Sequence, residues 1–346
     1  MPTPNHPKLR VAAVQAAPVF LDIDATIDKT IVLMEQAARQ GVQLVAFPET
    51  WIPGYQWWIW LTAPAIGMQY VQRYFDNSLT LGSPEFQRLA DAARSFNLWL
   101  SVGFSERSGG SLYIAQALFD NTGQVQMTRR KLRPTHVERT VFGDGDGSDL
   151  NVIDTTVGKV GMLSCWEHLQ PLTKYAMYAQ NEQIHIGAWP SFSVYRGGAH
   201  ALSADVNNAV SKVYAVEGQC FVIAPCAVVS PAMHELLCKD EMQKQLLLVG
   251  GGFARIYAPD GSQLGGSLEE TVEGLVIADI DLGMISLAKA AADPAGHYAR
   301  PDVTRLLLNK TPGDRVVTQL PAGTQLNGVA HVVGPGTKEA SPEDAE

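Results

Sequence analysis

The stretch Val160-Gly161-Met162-Leu163-Ser164-Cys165-Trp166-Glu167-His168 reads as a short apolar strand that ends on a cysteine and passes into a polar segment. An apolar run of this length, 160–164, suits a buried strand better than a helix. Working outward, a helix is expected near 171–180, a strand at 184–188, a helix at 201–217 and a strand at 220–224. The upstream half repeats the pattern. Residues 10–16 form a strand, and residues 25–40 form a helix with Ile27, Ile31, Met34 and Ala38 on one face and Gly41 as its stop. A strand at 43–47 then runs into Pro48-Glu49. Ser83 and Pro84, as N-cap and first-turn proline, open a helix that runs to Phe96. Strands at 98–104 and 111–119 follow, and Asp120-Asn121-Thr122-Gly123 turns the chain into a strand at 124–130. A hairpin strand at 253–258, with its turn at Pro259-Asp260-Gly261, precedes a last strand at 274–280. Strands alternating with helices over most of a chain predict an α/β architecture.

Composition narrows the function. With 46% hydrophobic and 18% charged residues, the 346-residue chain has the makings of a compact globule with a large core. A net charge of −9 argues against a nucleic-acid partner, which needs clustered Lys and Arg. No apolar run is long enough to span a bilayer. Lys8 and Arg10 ahead of an apolar stretch faintly suggest a secretory signal, but Gln15 and Pro18 interrupt it, and a buried first strand accounts for it better. The four cysteines, Cys165, Cys220, Cys226 and Cys238, include no C-x-x-C pair, which suits free thiols in a reducing cytoplasm. Residues 1–310 are expected to form one catalytic domain. Residues 311–346 are expected to form a C-terminal extension, partly disordered, since the chain from Pro312 onward is rich in Gly, Pro and charge.

Three strand ends each deliver a reactive group: Glu49 after 45–48, Lys131 after 128–130 and Cys165 after 162–164. Loops beyond strand ends are where sites assemble in α/β sheets. A thiolate can attack an electrophilic carbon, a cation lowers the thiol pKa, and a carboxylate moves protons. Singly, each has a duller account: a buried small residue, a solvated loop carboxylate, and one member of the basic face Arg129-Arg130-Lys131-Leu132-Arg133. Their joint occurrence favours chemistry.

Phe47-Pro48-Glu49, Arg130-Lys131-Leu132-Arg133-Pro134-Thr135-His136-Val137-Glu138-Arg139 and Ser164-Cys165-Trp166-Glu167-His168 resemble, in order, the three signature segments of the nitrilase family. Gly296-His297-Tyr298-Ala299-Arg300-Pro301-Asp302 resembles a segment of bacterial nitrilases, those acting on arylacetonitriles or aliphatic nitriles. The resemblance covers residues 10–305. It implies a four-layer αββα sandwich and hydrolysis of a nitrile to a carboxylic acid and ammonia. In that reaction Cys165 is the nucleophile, Glu49 the general base and Lys131 the stabiliser of the tetrahedral intermediate, while Glu138 positions substrate and Lys131. It also implies dimers that build larger spiral assemblies, with 233–249, read as an inserted helical segment, contributing to subunit contacts. The same triad serves amidases, N-carbamoyl amidases and a cyanide-hydrolysing relative, and a non-catalytic binding protein of the same fold is a further reading that the intact triad argues against.

Trp51, Trp57, Trp58 and Trp60 place four of the seven tryptophans just after Glu49, and Trp189, Phe192 and Tyr195 follow the strand at 184–188. Aromatic walls suit an apolar substrate, so Tyr55, Trp58, Trp166, His168, Trp189 and Phe192 are expected to line a pocket for an arylacetonitrile-like nitrile. No cofactor or metal is expected. Gly143–Asp149, read as an EF-hand from Asp144, fails that pattern because Asp149 and Thr155 stand at its sixth and twelfth places, no G-x-S-x-G or H-E-x-x-H occurs, and Gly250-Gly251-Gly252 lacks the phosphate-loop lysine.

Overall fold

Along β1 (Lys8–Ala16), Val11 and Ala13 join one cluster of buried side chains while Ala12, Val14 and Ala16 join another. This period of two is what a strand covered on both faces imposes. The structure is a computed structural model that describes residues 6–314 and 316. The remaining strands are β2 (Leu44–Ala46), β3 (Trp99–Ser108), β4 (Ser111–Phe119), β5 (Val125–Arg130), β6 (Val152–Thr155), β7 (Gly158–Ser164), β8 (Ile184–Ala188), β9 (Phe221–Ala224), β10 (Cys226–Ala227), β11 (Arg255–Tyr257), β12 (Gln263–Leu264) and β13 (Gly274–Asp281). One sheet runs β10-β1-β2-β3-β4-β5, with β13 antiparallel to β1, and the other runs β12-β11-β9-β8-β7-β6.

The sheets face each other. Ser101 Oγ of β3 donates to Met162 Sδ of β7 at 3.3 Å, and Val11, Ala13, Leu44 and Ala46 share a core with Val160, Met162, Ile184 and Ile186. The helices Ile23–Arg39 and Pro84–Phe96 cover the outer face of the first sheet through Ile27, Met34, Leu89 and Ala93. Pro171–Tyr178 and Ala204–Gly218 cover the second through Ala176, Met177, Tyr214 and Ala215. The result is the expected αββα sandwich. Residues 6–312 belong to one compact unit. The expected extension at 311–346 lies almost wholly outside the described residues.

Capping explains the boundary differences. The first helix starts at Ile23 because the Asp22 carboxylate accepts the Ala25 N–H at 2.9 Å. The helix expected from 201 begins at Ala204, where Ser203 caps it. The expected helical insertion at 233–249 is two short helices, Pro231–Leu237 and Glu241–Leu246, capped separately by Ser230 and Asp240. The hairpin strand expected over 253–258 shrinks to Arg255–Tyr257. Trp58–Leu61, Pro64–Asp76, β6 and Met284–Ala291 are elements that hydrophobic periodicity did not suggest.

Candidate active site

The loops that leave β2, β5 and β7 converge. After β2 the chain passes Phe47-Pro48 to Glu49, whose N–H donates to the Trp189 carbonyl at 3.3 Å across the two sheets. This passage hugs β3: a Cβ at Gly103 would stand 2.2 Å from the Pro48 carbonyl oxygen, so only glycine fits there. Lys131, just past β5, is anchored by its N–H on the Ile114 carbonyl at 2.7 Å and by its own carbonyl accepting the Gly145 N–H at 2.9 Å. Cys165 follows the last residue of β7 with φ 49°, a left-handed conformation that non-glycine residues rarely adopt. A strained backbone at a reactive residue is a common mark of function. Ser164 pairs in parallel with Ala188, so Cys165 and Trp189 leave neighbouring strands side by side.

Lys131 is the centre of the cluster. Its Nζ donates to Glu49 Oε1 and to Glu138 Oε2, each at 2.8 Å, and all three side chains are buried. Glu138 also accepts the Thr135 N–H at 2.6 Å and the Tyr55 hydroxyl at 2.8 Å, and that hydroxyl accepts the Trp60 indole N–H at 3.1 Å. Glu138 is therefore saturated and held in place. Glu49 is not: its Oε2 is buried without a hydrogen-bond partner.

One ammonium between two ionised carboxylates would leave the buried cluster with a surplus negative charge, and the groups respond to it. Burial, with Glu138 adding repulsion against the attraction of Lys131, raises the Glu49 carboxyl to about 8. Burial alone would lower Lys131, but Glu138 and Glu49 outweigh it and hold the ammonium well above its ordinary value. Burial, then Glu49, pushes the Cys165 thiol up, with Lys131 and the Trp166 N–H acting in the opposite sense. The thiol therefore stays protonated until a base takes its proton, and Glu49 has a free oxygen for it.

A second buried pair braces the two loops, and the reading from sequence missed it. The Arg129 guanidinium grips Glu167 in bidentate fashion, at 2.9 and 2.7 Å, while Glu167 accepts the Leu132 N–H and the Ser164 N–H, each at 2.8 Å. One carboxylate thus ties the loop after Lys131 to the turn that carries Cys165. The run at 129–133 alone reads as a basic face, but alternation from the buried Met127 puts Arg129 on the inner side with Lys131.

Cys165 and Glu138 open on a narrow cavity of about 40 Å³. Tyr55, Trp166, Trp189 and Phe192 line it. Trp58 does not. Residues Trp58–Leu61 form a helical turn that packs Trp58 edge-on against Tyr74 at 5.1 Å and presents Trp57 and Trp60 to the cavity instead. His168 does not line it either; it lies behind Trp189, stacked on that indole at 5.2 Å, with Nδ1 on the Cys165 carbonyl at 2.6 Å. An outer cleft of about 500 Å³ shares Thr135 and Trp166 with the inner cavity, so Trp166 is a partition between them. Its indole is pinned by Asn207 at 2.9 Å. No group of three or more His, Cys, Asp or Glu side chains among the described residues could hold a metal ion.

Residues 10–290 match the family described as carbon–nitrogen hydrolase. The chain belongs to that family. This carbon–nitrogen hydrolase is 60% identical to a nitrilase of Pseudomonas syringae pv. syringae strain B728a, over 89% of its own length and 92% of the relative's. It is 54% identical to an arylacetone-specific nitrilase of Alcaligenes faecalis, over 87% and 85% of the two chains. To an aliphatic nitrilase of Rhodococcus rhodochrous it is 48% identical, over 96% and 94%. Its fold is also that of a crystallised carbon–nitrogen hydrolase from Helicobacter pylori G27, with a TM-score of 0.68 at 19% identity, over 86% and 97% of the two chains.

Proposed function

We propose that this hydrolase converts an organic nitrile, of the arylacetonitrile kind, to the carboxylic acid and ammonia, with Cys165 as nucleophile and Glu49 as general base. The observation that carries the reading is the buried Glu49–Lys131–Glu138 cluster set beside a strained cysteine at the end of a narrow aromatic cavity. Glu49 takes the thiol proton, and sulfur forms a bond to the nitrile carbon as the nitrile nitrogen gains a proton, giving a thioimidate. Water, deprotonated by Glu49, adds to that carbon. Ammonia leaves with the protons so collected, and a thioester remains. A second water releases the acid and restores the thiol. Lys131 and the Trp166 N–H face the charge that develops at each addition, a contribution of about 3–4 kcal/mol per donor. Glu138, saturated by Tyr55 and Thr135, keeps Lys131 aimed.

A slot this narrow admits the slim nitrile group more readily than a planar amide, and the relatives named above are nitrilases. An amidase or N-carbamoyl amidase remains the second reading, because the cluster also suits a leaving amine. The test is ammonia release from phenylacetonitrile, mandelonitrile, an aliphatic dinitrile and their matching amides. Faster consumption of the amides would reverse the assignment. In the same assay, Trp166→Ala should merge the inner cavity with the outer cleft and shift kcat/KM toward bulkier nitriles by about 10-fold or more, the scale of one removed side-chain clash. An unchanged substrate order would detach Trp166 from specificity.

Two further features belong to the same proposal. Four free thiols suit a cytoplasmic protein, and no helix among the described residues is long and apolar enough to cross a membrane. Leu169, Leu172, Val213 and Val216 stand exposed on or beside the outer helices of the second sheet, which supports self-association into a homodimer and larger assemblies. Sedimentation should find dimers or larger species at micromolar concentration, and a monomer would end that part of the proposal.

A further inference from the structure

Behind the nucleophile runs a chain of buried polar groups that the mechanism above does not use. His168 Nδ1 meets the Cys165 carbonyl at 2.6 Å, and His168 Nε2 meets His185 Nε2 at 2.8 Å. His185 Nδ1 meets Glu182 Oε1 at 2.7 Å, and the Tyr214 hydroxyl donates to Glu182 Oε2 at 2.7 Å. All four side chains are buried, His168 stacks on Trp189, and His185 stacks on Tyr214 with ring centroids 3.7 Å apart. Such packing leaves little room for the rings to turn.

The donors and acceptors can then be counted. A carbonyl oxygen only accepts, so His168 carries its proton on Nδ1 and offers a lone pair at Nε2. His185 must therefore donate from Nε2, which leaves its Nδ1 as an acceptor when the ring is neutral. The remaining proton has to come from Glu182. We propose that Tyr214, Glu182, His185 and His168 form a one-way hydrogen-bond chain that positions the nucleophile through the Cys165 carbonyl, and that Glu182 is held in it as the neutral carboxylic acid.

The reverse arrangement, with Glu182 ionised and His185 charged, would place an ion pair where the dry interior penalises each charge. No Lys or Arg among the described residues pairs with Glu182 to favour its anion. Burial raises the Glu182 carboxyl to about 8. Burial, with the nearby Arg129 cation, drives His185 well below its usual range, and burial, with His185, lowers His168 to about 3, so both rings stay neutral. The chain gives the carbonyl of the left-handed turn at Cys165 a buried side-chain partner. The Tyr214 end rests on the helix Ala204–Gly218 and the His185 end on β8, so the nucleophile's backbone is tied to two elements of the second sheet layer.

The proposal rests on the reading of Cys165 as nucleophile, and its test keeps the two apart. Glu182→Gln imitates the neutral acid: its amide N–H can donate to His185 Nδ1 while its carbonyl accepts from Tyr214. His168→Ala removes the contact with the carbonyl, and His168→Asn restores a donor near the place of Nδ1. Each variant is assayed for kcat and KM on a nitrile, normalised to the thiols at position 165 that iodoacetamide titrates, so that unfolded protein is not counted. Glu182→Gln should keep wild-type kcat. His168→Ala should lose about 10²-fold in kcat at nearly constant KM, the scale of a displaced reacting group, and His168→Asn should recover most of it. The infrared difference spectrum of wild type minus Glu182→Gln should contain a protonated carboxylic-acid C=O band. The proposal fails if Glu182→Gln loses as much as His168→Ala, if that band is absent, or if His168→Ala turns over like wild type. Activity in Cys165→Ala would remove the nucleophile reading and this one with it. An inactive Cys165→Ala beside an inactive Glu182→Gln would sink the chain alone.

Discussion

Cys165→Ala will reduce nitrile turnover to the rate seen without protein, a loss of about 10⁶-fold in kcat if this site behaves like other covalent hydrolases stripped of their nucleophile. The expectation follows from what else lies in the cavity. Apart from Cys165, its lining holds aromatic rings, hydroxyls and Glu138, whose oxygens are engaged by Lys131, Thr135 and Tyr55. A neutral nitrile carbon is a weak electrophile, so water cannot replace sulfur at a useful rate. The other three thiols are controls. Cys220 is packed in the core behind β9, Cys226 Sγ donates to the Pro190 carbonyl at 3.2 Å, and Cys238 Sγ donates to the Gln243 carbonyl at 3.4 Å. Burial pushes all three thiols up, which keeps them inert. Cys220→Ala, Cys226→Ala and Cys238→Ala should each keep kcat within a few-fold. Ammonia release by Cys165→Ala above about 1% of wild type would break the assignment, because covalent catalysis leaves no other route of that speed.

Much of this site was legible because strand ends carry their own punctuation. Pro48 ends β2 just before Glu49, Pro134 follows Lys131 closely, and a polar turn follows Cys165, so the sequence itself places three reactive groups at loops. Their convergence could not be read, since it depends on β2 and β5 lying in one sheet and β7 in the other. The aromatic walls were read at the level of the cluster and not of the residue. No periodicity marks residues 57–60 as an element, and the helical turn they form presents Trp57 and Trp60 to the cavity in place of Trp58. Arg129 was hidden for the opposite reason. Its identity suggested a solvated face, although strict alternation from Met127 placed it inside, and only the facing Glu167 makes such a burial tolerable. The paired histidines are the hardest case. His168 and His185 sit 17 positions apart, and nothing in either neighbourhood says that their rings meet.

Lys131→Met should abolish turnover and lower stability together, and the two losses should separate under a second substitution. Methionine fills the volume of the lysine stem but leaves Glu49 and Glu138 facing one another without the cation that each held at 2.8 Å. Removing one partner from a buried ionic group costs about 3–5 kcal/mol. Proton uptake relieves part of that, since Glu49, raised to about 8 even beside Lys131, will go higher without it. The sign of the pH dependence follows. A carboxyl whose folded value lies above its unfolded value destabilises the fold progressively as pH rises between the two, so Lys131→Met should lie closest to wild type near pH 5 and furthest from it above pH 8. Adding Glu138→Gln removes one of the stranded charges while retaining an acceptor for Tyr55, and the double variant should regain most of the stability by urea denaturation. It should regain no activity, because a neutral amide supplies nothing to a developing anion. Lys131→Arg is no substitute, as a planar fork cannot sit between two carboxylates spaced around a single ammonium. If Lys131→Met proves as stable as wild type at pH 8, the buried charge cluster does not exist as described. If the double variant recovers turnover along with stability, the role of Lys131 is structural and the cation takes no part in the chemistry.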